Sequence, residues 1–497
     1  MKYLYKRVLF FFTIISIASV SCNKTKFLDV NDNPNSVTEN NITPELIFPQ
    51  AAHAVGVQLS GANFTFLNQW LGYWSVTGDF AIPQDQTTYN IDNTFTNNIW
   101  ESYYDNLFDL HQVQVKAIAE GDTVLSGASM ILSAKLWQEL VDMFGDIPYS
   151  QTFQNSQFQS PKYDKGQDIY NDLQKKLDTA ISYMGQTERS TFQTVDIVNH
   201  GNKTLWVKFA NTLKLRLLIR QSEISGFNPG TETAKIIANG GVLHQGENIN
   251  VNPGYSNTTN KQNPFYANYG LTPTGVTANT FNTANDYFIS LLKSTNDPRL
   301  ERFFKPNSSG TFTGSVYGLA QGNPPGAQTS NIGPGLAGSA EQDQWIMPAF
   351  ESMFLEAEAI ARGWLPGDAK TAYEAAVTES FVWLGVPDAV NEAASYLSNT
   401  TIANWSNAGS DPESQAKFIA YQKYIALAGV DPVEAWSDLR RLNMLPDNGY
   451  ITVNPGKLSS TLPKRLPYPE TEYTTNAGNV NSEGTINIFT SKIFWEP

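Results

Sequence analysis

The chain has one cysteine and four histidines among its 497 residues, and this scarcity excludes several kinds of chemistry. A single cysteine, Cys22, cannot form an intrachain disulfide or a cysteine metal cage. The histidines are scattered, without an HExxH motif or a paired spacing, which favours structural roles over zinc binding. The GxGxxG match at 333–338 lies in a loop-like stretch with no strand before it, which argues against a dinucleotide site. We therefore expect neither a metal nor an organic cofactor.

The chain also has little charge, and its basic residues are in the minority. Charged residues make up 16% of the sequence, and the formal net charge is −14. A nucleic-acid ligand requires a basic face for its phosphates, and an electrostatic grip on anionic lipid requires one as well. The composition therefore excludes nucleic acid as a partner and leaves any membrane attachment to a lipid anchor.

No apolar run reaches the roughly 20 residues that a membrane-spanning helix needs. The run at 8–20 follows three basic residues near the N-terminus, which is typical of an export signal. Small residues precede Cys22, as at the cleavage site of a bacterial lipoprotein. We predict a lipoprotein signal peptide at 1–21, lipidation at Cys22 and a flexible polar stalk at 22–42. Ordinary secretion is the alternative.

Helical periodicity dominates the rest of the chain, and the clearest example is the stretch 127–151. Apolar residues recur there at steps of four and three, which places them on one face of a helix. Gly145 can close this helix, and Pro148 prevents it from resuming. The pattern predicts a buried helix that ends at a fixed, extended corner. Further helices are predicted at 44–58, 97–121, 168–184, 205–224, 351–364, 368–384, 414–428 and 431–442.

Successive helical hairpins with small residues at their contacts are similar to tetratricopeptide repeats. The character changes over 242–344, where Asn, Gly, Pro, Ser and Thr dominate and one short helix is predicted at 283–294. We predict a single, all-α dominated domain over 43–497. Its scaffold is made of tetratricopeptide-like hairpins with little β-structure, and 242–344 is a loop-rich insertion that binds the ligand.

Two carboxylates on the helix before the corner, Glu139 and Asp142, are the strongest enzyme-like feature. They are three residues apart on one helix, a pair that a helical glycosidase could use. We favour a structural interpretation, with both groups on the solvated side of the helix and Asp146 bonded to backbone amides. No catalytic residue is predicted, and a secreted helical glycoside hydrolase is the alternative.

Basic residues on the later helices are also interpreted as structural. We expect Lys208, Lys214, Arg216 and Arg220 to keep their charges in solvent. Glu434, Arg440 and Arg441 are interpreted as an ion-pair cluster.

Sugar ligands favour flat aromatic rings that are rimmed by amides and carboxylates. Such rings occur near the turn-rich stretch 78–85 and again in the long insertion. The candidate ligand-binding residues are Trp70, Tyr73, Trp74, Asp79, Tyr89, Tyr266, Tyr269 and Trp345. Each of these aromatic residues can instead belong to the core, and the sequence leaves both alternatives open.

A series of segments, in order along the chain, resembles one known family. These segments are Cys22 with 27–34, 100–119, 137–149 with its Phe-Gly-Asp-Ile-Pro-Tyr corner, 206–220, 296–300, 351–364, 434–441 and 465–469. Together they resemble the SusD/RagB family of outer-membrane nutrient-binding lipoproteins of Bacteroidetes, in its SusD-like branch. The match spans nearly all of the chain after the signal peptide.

The resemblance implies a tetratricopeptide-like scaffold whose loops form a ligand face. It further implies a lipid-anchored protein of the cell outer membrane that faces the exterior and is not an enzyme. Such a protein captures oligosaccharides, or in some branches peptides, and delivers them to a SusC-like TonB-dependent transporter. We expect an oligosaccharide ligand, with a peptide as the alternative.

Overall fold

Helices that pack in chain order form the N-terminal half of the protein, which is described here from a computed structural model. The described residues are 42–60, 62–445 and 450–497, so the predicted signal peptide, Cys22 and nearly all of the predicted stalk lie outside them. The helices of this half are α1 (Pro44–Ser60), α2 (Thr65–Trp70), α3 (Gln84–Thr88), α4 (Asn97–Ala119), α5 (Thr123–Phe144), α6 (Gly166–Met184), α7 (Phe192–Val195), α8 (Lys203–Arg220) and α9 (Gly230–Ala238). Helix α1 packs on α4, α4 on α5, α5 on α6, and α6 on α8.

The C-terminal half repeats this arrangement after the loop-rich insertion. Three short helices lie in the insertion, namely α10 (Pro264–Tyr269), α11 (Asp286–Ser294) and α12 (Leu300–Phe303). The later helices are α13 (Ala349–Ala361), α14 (Ala369–Leu384), α15 (Ala389–Asn399), α16 (Pro412–Ala426), α17 (Pro432–Arg441), α18 (Glu470–Thr475) and α19 (Ala477–Ser482). Helix α13 packs against α14, α16 and α8, and thereby joins the two halves. The predicted helical class is confirmed, and Pro44–Pro497 form one compact unit.

Six short strands pair as three two-stranded antiparallel sheets among the described residues. The strands are β1 (Trp74–Val76), β2 (Ile147–Pro148), β3 (Tyr163–Asp164), β4 (Ile249–Val251), β5 (Asn282–Ala284) and β6 (Gln344–Met347). Strand β1 pairs with β5, with Trp74 opposite Ala284 and Val76 opposite Asn282. Strand β4 pairs with β6. These pairings place the insertion beside the turn that follows α2.

The corner after α5 forms as its sequence predicts. Helix α5 begins where the Asp122 side chain accepts a hydrogen bond from the Leu125 amide (3.1 Å), and it ends at Gly145, whose φ is +81°. A side chain at Gly145 would be strained at this φ, and a Cβ there would lie 3.1 Å from the Arg465 guanidinium. The Tyr468 hydroxyl donates to the Asp146 carbonyl (2.7 Å), so the C-terminal segment covers the corner.

The charged residues of α5 and of the second half of α8 are buried, and this overturns two predictions; Lys208, nearer the start of α8, is partly exposed. Glu139 and Asp142 are 2% and 1% exposed, not on a solvated face. Lys214 and Arg220 are not in solvent either, because their side chains are 0% and 1% exposed. Helices on both sides cover these groups, so that the polar residues of α5 and α8 face other helices rather than water. Of the carboxylates Glu139, Asp142 and Asp146, Asp146 is the one that is partly exposed. It accepts a hydrogen bond from the Gly166 amide (2.8 Å).

These groups belong to a set of buried charges, here called the buried ion network. Its members are Lys135, Glu139, Asp142, Arg216, Arg220, Glu351, Lys423, Glu434 and Asp438. The prediction that Glu434, Arg440 and Arg441 form ion pairs is confirmed, but each of them pairs with other residues and not with one of the other two. Glu434 pairs with Arg220, Arg440 with Glu496 (3.1 Å) and Arg441 with Glu358 (2.7 Å).

Candidate functional site

Six of the aromatic residues that the sequence suggests for ligand binding lie in the core. Trp70, Tyr73, Trp74, Tyr89, Tyr269 and Trp345 are each at most 5% exposed. Five of them, all but Trp74, have their polar atom hydrogen-bonded inside the protein, as an aromatic core residue requires. The Tyr73 hydroxyl donates to the Tyr424 carbonyl (2.6 Å), and the Trp345 indole donates to the Val430 carbonyl (3.1 Å). In this structure none of the six offers an open face on which a sugar ring could stack.

The predicted aromatic residues near 78–85 and those of the insertion are in contact with each other, but inside the protein. The rings of Trp74 and Tyr269 lie 4.9 Å apart, and Phe265 lies 4.8 Å from both Tyr269 and Trp345. The pairing of β1 with β5 brings α10 and the strand after α2 to this point. The aromatic density that the sequence shows therefore anchors the insertion on the scaffold.

Asp79 and Tyr266 are the predicted residues that reach the surface. Asp79 is exposed, and its Oδ2 accepts a hydrogen bond from the Gly326 amide (2.7 Å). Tyr266 is half-buried and folds back over Gly270, where an added Cβ would lie 2.6 Å from the Tyr266 ring. Asp79 thus ties the turn after β1 to the segment around Gly326 and marks the edge of an exposed loop face.

Two phenylalanines that the sequence reasoning did not select stand on this loop face. The rings of Phe80 and Phe281 lie 5.4 Å apart at an interplanar angle of 64°. Phe80 is 42% exposed, and Phe281 is half-buried. Both stand among polar loop residues with no helical period that would bury them, and this signal is present in the sequence.

A cleft of about 400 Å³ opens beside Phe281, here called the loop-face cleft. Its aromatic walls are Phe66, Phe95 and Phe281. The amide side chains around it are Asn63, Gln69, Gln86, Asn98, Asn279 and Asn282. Phe66 and Phe95 are in edge contact, with ring centroids 5.0 Å apart. Rings next to several amides are the chemistry that suits an uncharged ligand rich in hydroxyl groups.

Gln69 gives the loop-face cleft an unused hydrogen-bond acceptor. Its side chain is 0% exposed, and its Nε2 donates to Asn282 Oδ1 (3.0 Å). Its Oε1 has no hydrogen-bond partner among the described residues. A buried acceptor without a partner is unfavourable, and a ligand hydroxyl or a water molecule would satisfy it.

Glu139 and Asp142, the carboxylates that a glycosidase could use, are not accessible to a ligand. Glu139 accepts a hydrogen bond from the Tyr103 hydroxyl (2.8 Å), and Asp142 accepts one from the Trp495 indole (2.8 Å). Burial raises the pKa of Asp142, and the nearby Arg220 guanidinium opposes that rise. Among the described residues there is no group of three or more His, Cys, Asp or Glu side chains that could hold a metal ion. Within the same residues, no helix is both long and apolar enough to cross a bilayer.

The chain matches one protein family over most of its length. Residues 34–469 match the SusD-like family described as "Starch-binding associating with outer membrane". No curated protein matches the sequence.

Solved structures with the same fold cover nearly the whole chain. A SusD homologue from Bacteroides fragilis is 21% identical, with a TM-score of 0.74, and the alignment covers 92% of this chain and 100% of the homologue. A chitin-binding SusD homologue from Flavobacterium johnsoniae is 24% identical, with a TM-score of 0.74 and coverages of 90% and 98%. A SusD/RagB family protein from Bacteroides thetaiotaomicron is 20% identical, with a TM-score of 0.73 and coverages of 92% and 99%.

Proposed function

The chain belongs to the SusD-like family, and from this premise we propose that it captures oligosaccharides at the loop-face cleft. The observation that carries the proposal is that the partly exposed Phe281 ring and several accessible amide side chains, among them Asn98 and Asn279, line the same cleft. Sugar hydroxyls need such acceptors and donors, while the apolar faces of pyranose rings pack on aromatic side chains. Phe281 supplies a partly exposed ring in the same lining as the amides, and Phe80 extends the aromatic surface.

The ligand classes to test first come from the family and from one relative. The family is described as starch-binding, and the Flavobacterium johnsoniae homologue is chitin-binding. Calorimetric titration with malto-oligosaccharides and chito-oligosaccharides is expected to give saturable binding to at least one series. A peptide ligand is the alternative. Binding of neither glycan series would contradict the proposal.

Phe281→Ala tests the site itself. Removal of an aromatic contact of this kind is expected to weaken glycan binding by about tenfold, since it is worth roughly 1 kcal/mol or more. Phe418→Ala is the matched control, because Phe418 is also half-buried but lies on α16, away from the loop-face cleft. Equal loss of binding in both variants, or no loss in Phe281→Ala, would place the glycan elsewhere.

We also propose that the glycan is bound without turnover. Glu139 and Asp142 are held by buried partners, so they cannot flank a glycosidic bond in this structure. Chromatography of a bound oligosaccharide after long incubation is expected to recover it unchanged. Catalytic release of shorter sugars would favour the glycoside hydrolase alternative.

We further propose where the protein is located and to which protein it delivers its ligand. The protein is exported by the signal at 1–21, lipidated at Cys22 and held by the stalk at 22–42 on the outer face of the outer membrane. There it passes its ligand to a SusC-like TonB-dependent transporter. Cys22→Ser is expected to move the protein from the membrane fraction to the soluble fraction, and copurification with a transporter is expected from the wild-type chain. Unchanged membrane association of Cys22→Ser would contradict the anchor.

A further inference from the structure

A second cleft, unrelated to the loop face, opens between α4, α5 and α6. It has a volume of about 420 Å³, and residues 149–154 form its roof; it is here called the helical cleft. Its aromatic walls are His111, Trp137, Tyr149 and Phe153. Trp137 lies 4.9 Å from Tyr149 and 6.2 Å from Phe153 between ring centroids. No step of the proposed glycan capture uses this cleft.

Carboxylates outnumber basic groups around the helical cleft. Asp164, Asp168 and Asp172 line it, and Lys176 is the single lysine or arginine among its lining residues. Burial and the nearby Lys176 lower the pKa of His111, so that its imidazole adds no positive charge at neutral pH. Lys162, outside the lining, pairs with Asp164 (3.1 Å), so Asp168 and Asp172 are the acidic groups left to offset Lys176. The lining is negatively charged on balance and therefore favours a positively charged ligand. A metal ion is disfavoured, because within the described part of the chain no three acidic or imidazole groups converge as metal ligands do.

The wall of the cleft already binds an ammonium group. Lys176 Nζ donates a hydrogen bond to the Tyr149 hydroxyl (2.7 Å) and lies 3.2 Å from Asp172 Oδ2 and 4.4 Å from the centre of the Tyr149 ring. Both side chains of this ion pair are partly exposed, at 47% and 43%, so the lysine can swing out into water. An ammonium group held by a carboxylate and a tyrosine hydroxyl at the edge of an aromatic ring is a favourable arrangement that an outside cation could reproduce.

The open faces of the rings are too small for a sugar platform. Trp137 and Tyr149 are only 6% and 9% exposed, and they meet edge to face at 82°. A slender alkyl chain fits such a corner better than a pyranose ring does. Across Thr152 and Phe153 lies another cleft, of about 310 Å³, whose charged lining groups are all acidic: Glu101, Asp105 and Glu472. The acidic, aromatic surface thus continues far enough for a ligand longer than one residue.

From these observations we propose that the helical cleft binds the lysine or arginine side chain of a short peptide. The charged group takes a position against the Tyr149 ring and Asp172, and displaces Lys176 from it. The alkyl part of the side chain packs against the partly exposed Phe153 ring. This site is independent of glycan capture, since it shares no lining residue with the loop-face cleft.

The first test compares peptides that differ only in charge. Calorimetry with acetyl-Gly-Lys-Gly-amide is expected to show binding that weakens as sodium chloride is added, because salt screens exposed charges. The same peptide with norleucine in place of lysine is expected to bind at least about threefold more weakly, the loss of one cation–π contact. Equal affinities would overturn the proposal. Binding of a glucosamine oligomer in place of the lysine peptide would overturn the assigned ligand class.

Two substitutions with opposite expected effects form the second test. Asp172→Asn removes the carboxylate partner and is expected to weaken lysine-peptide binding by about three- to fivefold. Lys176→Met removes the competing ammonium group and is expected to tighten binding by a similar factor. Glu413→Gln is the control, because Glu413 forms a comparable exposed i,i+4 pair with Lys417 on α16.

The direction of the Lys176→Met effect decides the outcome. Weaker or unchanged binding in Lys176→Met would overturn the proposal, and so would an equal effect of Glu413→Gln. Melting temperatures of all three variants check that the fold is intact. Glycan binding is expected to be unchanged in every one of them, so that failure of this proposal is distinguishable from failure of glycan capture.

Discussion

Arg220 is the residue whose removal should most damage the scaffold. Its guanidinium is 1% exposed and contacts three carboxylates from two helices. Nε lies 3.2 Å from Asp142 Oδ2, and Nη1 lies 3.2 Å from Asp438 Oδ1. The third partner is Glu434. Arg220→Met keeps most of the side-chain volume but leaves these buried carboxylates with less positive charge around them.

The expected cost follows from burial rather than from the number of ion pairs. Removing one partner of a buried ion pair costs about 3–5 kcal/mol, because a charge is left unpaired away from water. An exposed pair such as Lys417–Glu413 contributes at most about 1 kcal/mol. For a unit of this size, 1 kcal/mol corresponds to a shift in melting temperature of about 1 °C. Arg220→Met should therefore lower the melting temperature by about 3–5 °C, and Lys417→Met by no more than about 1 °C.

Calorimetric melting of the two variants and the wild-type protein at one scan rate measures this difference. The double variant with Arg220→Met and Glu434→Gln also removes one of the carboxylate charges that Arg220→Met leaves without a partner. It should melt at a higher temperature than expected from the sum of the two single effects, because the two residues interact directly. If Arg220→Met lowers the melting temperature no more than Lys417→Met does, the buried ion network does not stabilise the fold.

Further predictions concern single residues of the scaffold. Burial raises the pKa of Glu351 to about 7, above its ordinary 4.5, so folding favours the protonated acid and loses stability as the pH rises from 4.5 to 7. Glu351→Gln removes this loss, and its stability relative to wild type should increase by about 3 kcal/mol between pH 5 and pH 8; a constant difference across that range would contradict the assignment. Gly145→Ala introduces a Cβ where φ is +81° and the Arg465 guanidinium is close, and should destabilise the protein by about 1–3 kcal/mol in the same melting assay. An equal melting temperature for Gly145→Ala would show that the corner can relax.

The helices were predictable because each buries an apolar stripe that is visible within its own sequence. The corner at Gly145 and Pro148 was predictable for the same local reason, and the family suggested by these motifs is confirmed by the match over 34–469. The strand pairing of β1 with β5 was not predicted, since its partners are about 200 residues apart and each strand is only three residues long. Helices α9 and α15 were missed because their short amphipathic patterns lie between stretches rich in turn-forming residues.

The side chains of the candidate site were harder to predict than the fold. The sequence around a tryptophan such as Trp74 does not show whether its ring faces a ligand or the core. Contacts with α10 place the Trp74 ring in the core. Charged residues were misplaced for a related reason. Periodicity assigns Arg220 to the polar side of α8, but α5 and α17 cover that side, and their carboxylates are far away in the sequence.

The buried ion network and the loop-face cleft are made of different residues, so stability and ligand binding depend on different parts of the protein. Its members lie on α5, α8, α13, α16 and α17, whereas the loop-face cleft is built from α2, the segments beside β1 and β5, and the start of α4. A substitution at Phe281 or Asn279 changes the wall of that cleft without removing a partner of any buried charge in the network. The lining of the loop-face cleft can therefore change while the charge pairs that join the helices stay in place. For this chain, variants of the loop-face cleft should alter glycan affinity at nearly constant melting temperature, and variants of the network should do the reverse.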